Sequence, residues 1–118
     1  MNQEAFESIS NKLLDHAKNV RDTKAKHYAT NDDRLANFRK ASSLIGCKLP
    51  IAVTGMMIKH TVSIYDMVDS EFRGNTSDEN SDELWLEKLG DQINYLLLLY
   101  ASIQEAKGIF NEPYEESY

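Results

Sequence analysis

The chain has 118 residues, 42% of them hydrophobic and 27% charged, and a formal net charge of −6. That length and balance fit one globular domain around one core, and argue against two independent modules or a chain disordered throughout. The acidic surplus repels phosphate backbones and anionic lipid, so neither nucleic-acid nor membrane binding is expected.

Residues 3 to about 28 read as one amphipathic helix, because Phe6, Ile9, Leu13, Ala17 and Val20 recur at helical spacing between polar residues. This stretch carries Glu4, Glu7 and Asp15 where a signal peptide would carry an apolar block. Cap candidates Thr30 to Asp32 then introduce a second, shorter helix with Leu35, Phe38, Ala41 and Ile45 on one side and Gly46 as its stop. Cys47 is the only cysteine, which rules out an internal disulfide and indicates a reducing compartment.

Pro50 suits the first turn of a third helix, whose apolar stripe of Val53, Met56, Met57, Ile64, Met67 and Val68 runs to about Phe72. Residues 73–81, "RGNTSDENS", form a polar loop. Ser81 or Asp82 caps the fourth helix, which extends to about Lys107. The longest apolar run, Tyr95 to Ala101, falls far short of the ~20 residues a membrane span needs, so a cytoplasmic protein is expected. No stretch alternates apolar and polar residues over strand length. The expectation is therefore an all-α four-helix bundle, a single domain over 1–110 with an acidic tail at 111–118. Leu86, Leu89, Ile93, Leu96, Tyr100 and Ile103 cover one face of the fourth helix, and Tyr95, Leu98 and Leu99 leave its other sides apolar too, which predicts a second subunit against it.

Glu87, Asp91 and Asn94 share a face of that helix at ~100° per residue. Two carboxylates one turn apart can hold Mg²⁺ if other oxygens complete its octahedron, or can simply favour the positive end of the helix dipole. Gly90, in the same turn, marks a close approach to the backbone by a neighbouring helix or a ligand. On the third helix Lys59, Ser63 and Asp66 fall on one side. Lys59 can meet a phosphate or pair with Asp66, and His60 lies on the apolar side as a core residue or a ligand contact. Lys24, Lys26, His27 and Tyr28, followed by Arg34 and Asn37, make the one local cationic cluster flanked by an aromatic; it can serve a nucleotide or be a solvated helix end.

In order and spacing, "KAKHYATNDDRLANFRKA" (24–41), "MMIKHTVSIYDMV" (56–68) and "EKLGDQINYLLLL" (87–99) resemble small phage and prophage proteins of the MazG-like group, related to the all-α nucleoside triphosphate pyrophosphohydrolases. The resemblance covers most of residues 20–105. It implies a helical bundle assembled as a dimer or larger oligomer in a host cytoplasm, with Mg²⁺ on acidic side chains and a nucleotide cleaved between its α and β phosphates. Glu87 and Asp91 would hold the metal and Lys24, Tyr28, Asn94 and Tyr95 the nucleotide; on a non-catalytic reading Lys59 and His60 would face its phosphates in place of the metal. The enzymes of the group carry a further acidic cluster where this chain has Lys59 and His60, and a glutamate where it has Lys88. The first expectation is a Mg²⁺-dependent dNTP pyrophosphohydrolase; the alternatives are a non-catalytic nucleotide-binding protein and a phage module that occupies or inhibits a host protein.

Overall fold

The computed structural model describes residues 1–27, 33–73 and 79–109. They form four helices and no strand: α1 (Gln3–His27), α2 (Ala36–Ile45), α3 (Leu49–Phe72) and α4 (Asp82–Ala106). The all-α class agrees with the periodicity of the sequence, and the helix limits do so to within a residue or two except at the start of α2, which begins at Ala36 after a turn at Arg34 and Leu35 and not directly after the Thr30–Asp32 cap candidates. Tyr28, the Thr30–Asp32 cap candidates, most of the 73–81 loop and the 111–118 tail lie outside the described residues.

The helix ends have local causes. The Ser81 hydroxyl accepts from the Leu84 amide at 3.1 Å and caps α4. Gly46 closes α2 in the left-handed region at φ 78°, with its own amide and that of Cys47 both donating to the Ser42 carbonyl. Entry to α2 is set by Asp33, whose carboxylate accepts from the Leu35 amide at 3.0 Å. The same carboxylate receives Arg39 Nε at 2.6 Å, and the Arg39 guanidinium also meets both oxygens of Glu105 on α4, at 2.7 and 2.8 Å. The hydrogen bond from Arg39 holds the Asp33 carboxyl below its ordinary value, and the two acids raise the guanidinium further. Past the turn, Glu71 accepts from the Asn80 amide at 2.6 Å and the Trp85 indole at 3.2 Å, which ties the end of α3 to the start of α4.

α4 is the central element, packed on one side by α1 and on the other by α3, with α2 lying on α3. Leu35, Phe38 and Val53 form the buried cluster, and Leu49, Tyr95, Leu98 and Leu99 pack around it. On the other side of α4, a Cβ at Gly90 would lie 3.2 Å from His16 Cδ2 and 3.7 Å from the Ala17 Cα. The close approach that Gly90 signals is thus a neighbouring helix, with Ala17 fully buried against it. The core is thin: Ala17, Leu35, Phe38, Ala52, Val53 and Met67 are the buried apolar side chains among the described residues, while Leu96, Leu97 and Tyr100 on α4 remain largely exposed. No single described helix is long and apolar enough to cross a membrane.

Candidate functional site

α1 reaches α4 through one buried amide. Asn94 Nδ2 donates to the Ala17 carbonyl at 3.1 Å, and Asn94 Oδ1 accepts from the Arg21 guanidinium at 3.1 Å. This pair of bonds orients Arg21 and fixes where the second half of α1 runs. One turn further along α1 lies Lys24, at the spacing of three that places it on the same face.

Above this link is a cavity of about 320 Å³ between α1, α3, α4 and the residues that open α2. Its walls are Arg21 and Lys24 from α1, Arg34, His60 from α3, and Asp91, Asn94, Tyr95, Leu97, Leu98 and Ala101 from α4. A smaller hollow of about 220 Å³ shares Lys24, Arg34, Tyr95 and Leu98 with it and adds Asn37, Phe38 and Met56. Three basic side chains converge on a space with one carboxylate and an apolar floor. In an acidic protein, that concentration of positive charge is local and opposite to the net field.

The aromatic wall is internally braced. The His60 ring lies 4.7 Å from that of Tyr95, tilted by 37°, and Phe38 meets Tyr95 edge-on at 5.9 Å and 81°. His60 Nδ1 stands 4.0 Å from Asp91 Oδ2, too far for a hydrogen bond but close enough for the charge to be felt. Burial pushes the His60 imidazole below its ordinary pKa. Asp91 pulls it the other way, and Lys59, Lys88 and Lys24 deepen the depression. His60 is therefore neutral at pH 7. Tyr95 is shifted upward by burial and by the Asp91 charge, so it keeps its proton and can donate.

Of the residues singled out by the sequence motifs, Lys24, His60, Asp91, Asn94 and Tyr95 come together around this cavity. Asn94 does so with both ends of its amide committed to α1 rather than offered to a ligand. Lys59 and Glu87 do not line the cavity; both are exposed, on the outer sides of α3 and α4. Arg21 was missed by the motif reading, although its position three residues before Lys24 could have flagged it.

Among the described residues, no three His, Cys, Asp or Glu side chains are disposed to hold a metal ion. Asp91 is the one carboxylate on the cavity wall, which it shares with Arg21, Lys24 and Arg34. A hard cation such as Mg²⁺ wants several oxygen ligands and negative surroundings. This donor set does not fit a resident Mg²⁺ held by the protein alone.

No family model matches the chain, and comparison with curated proteins and with solved structures finds no significant match. The MazG-like resemblance rests on the short motifs alone.

Proposed function

We propose that the chain binds a phosphorylated small molecule of nucleotide size in the cavity between α1, α3 and α4. Arg21, Lys24 and Arg34 neutralise its phosphates without a resident metal. The observation that carries this reading is the convergence of those three cations, from two separate segments, on a partly apolar cavity of about 320 Å³. That volume is at the lower end of the ~300–1,000 Å³ range of small-molecule sites, which suits a mononucleotide. Guanidinium groups meet phosphate oxygens in bidentate fashion and lysine adds a point charge, so the set is chemically suited to a di- or triphosphate. Tyr95 is covered on one face by His60 and at an edge by Phe38. The base or sugar is then expected against Leu97, Leu98 and Ala101 rather than stacked between rings. On the same reading the chain is a MazG-like helical bundle that works as an assembly of copies.

A thermal-shift panel of nucleoside mono-, di- and triphosphates in EDTA tests this. A ligand at 100 times its Kd adds ~2.7 kcal/mol, which for a domain of this size is a rise in Tm of roughly 10 °C. No shift with any phosphorylated compound would rule the reading out. The Mg²⁺-dependent pyrophosphohydrolase keeps one observation in its favour, the Asp91 carboxylate on the same wall. It requires pyrophosphate release from a dNTP that stops on Asp91→Asn.

A further inference from the structure

α3 carries two apolar seams on opposite sides. The inner seam, Val53, Met57, His60, Ile64 and Met67, faces the body of the chain and is buried or half-buried. The outer seam repeats at alternating steps of four and three: Ile51, Ile58, Val62, Tyr65 and Phe72 occupy five of its seven positions, with Gly55 and Asp69 in the other two. Those five side chains are between 51% and 73% exposed. Nothing lies within 4 Å of where a Gly55 Cβ would be, so the seam is open at that position; at its far end the Phe72 ring has Trp85 beside it at 6.5 Å. A 3–4 repeat of apolar residues is the pattern by which one helix packs along another with knobs in holes.

We propose that this outer seam of α3 is the contact by which two copies of the chain dimerise, antiparallel, about a two-fold axis near Val62. The inference needs no ligand and stands whether or not the cavity takes a nucleotide.

Area supports a second copy as occupant. With ~150–250 Å² for each of Tyr65 and Phe72 and less for Ile51, Ile58 and Val62, the five, half to three-quarters exposed, leave at most roughly 600 Å² of apolar surface in one line. That is as large as the largest patch of a typical monomer. Doubled by symmetry it gives at most about 1,200 Å², the lower end of the range for specific protein interfaces. Charge settles the direction. Lys59 and Asp66 flank the seam on the same side, seven residues apart, and both are exposed. In a parallel pair this flank would face the opposite flank of the other copy, Thr54, Thr61 and Val68, which carries no charge. In the antiparallel pair centred on Val62, Lys59 of each copy lies within a residue or two of level with the other copy's Asp66, giving two reciprocal opposite-charge contacts. The same register sets Ile51 against the other copy's Phe72, and Ile58 against its Tyr65. It also accounts for a lysine at position 59 that the cavity does not use.

Sedimentation equilibrium of the full chain, between 1 and 100 µM, tests the proposal. The wild type is expected at twice the mass of one chain. Val62→Glu, an exposed position whose change leaves the core untouched, is expected to give the single-chain mass with unchanged helical circular dichroism. Lys59→Glu is expected to weaken the dimer at least tenfold, and the double variant Lys59→Glu with Asp66→Lys to restore it. A wild-type monomer at 100 µM overturns the proposal. So does a dimer indifferent to Val62→Glu, which would put the contact elsewhere, or a monomer that binds neutral phosphatidylcholine vesicles through this face.

Discussion

Replacing Asn94 with alanine removes the one buried side chain that ties α4 to the α1 backbone. Two bonds of 3.1 Å are lost, one to the Ala17 carbonyl and one from the Arg21 guanidinium. A neutral hydrogen bond contributes ~1 kcal/mol net and one to a charged group ~1.5–3 kcal/mol. Arg21 is only partly buried at the cavity and can turn to water, so its share belongs at the lower end. The Ala17 carbonyl already sits in the α1 ladder, so no group is left wholly unsatisfied. The expected loss is about 2 kcal/mol, read as a fall in the urea midpoint at constant slope, or roughly 8 °C in Tm. Asn94→Asp keeps the Arg21 contact and sets an oxygen where the donor was, facing the Ala17 carbonyl. It is expected to lose stability as well, although its charge attracts Arg21. An Asn94→Ala protein within 0.5 kcal/mol of wild type would show that this amide does not hold α1 in place.

Gly90→Ala is expected to be near neutral, because the gain of ~1 kcal/mol in helix propensity is offset by the 3.2 Å approach to His16. Gly90→Val, with no room beside Ala17, should cost more than 2 kcal/mol by the same urea titration. The depressed His60 pKa means that the unfolded chain takes up this proton first, so stability is lost as pH falls below the ordinary histidine value of 6.5. His60→Gln should flatten that part of the pH–stability profile. An anion in the cavity favours the charged imidazole, so binding should take up a proton and tighten as pH falls through the same window, measurable as a buffer-dependent heat. Lys24→Ala, on an exposed side chain outside the core, should weaken phosphate-ligand binding about tenfold, or ~1.4 kcal/mol, with Tm of the free protein unchanged.

The fold was legible where its causes are local. Apolar spacing, Gly46 at a left-handed helix end and Ser81 at a helix start are short-range signals, and each recurs in the structure as the physics requires. The approach marked by Gly90 was visible as well, but only the tertiary arrangement shows that its cause is the His16–Ala17 turn of α1. The site was legible in part, because its walls come from α1, α3, α4 and the entry to α2, whose mutual rotation no single segment encodes. Asp91 and Glu87 look equivalent on a wheel, yet one lines the cavity and the other is exposed. Lys59 and His60 are neighbours in sequence and therefore point about 100° apart, which leaves the histidine on the cavity and the lysine outside it. Arg21 went unnoticed because a cation in the middle of an amphipathic helix reads as part of the solvated face. Only the partner amide on α4 shows otherwise.

The most direct test is an isothermal titration of the wild-type chain and Lys24→Ala with a non-hydrolysable nucleoside triphosphate in excess EDTA. The account predicts a saturable heat at one ligand per chain, weakened about tenfold in the variant. No heat in EDTA, together with binding that appears only on adding Mg²⁺ and vanishes in Asp91→Asn, would contradict it.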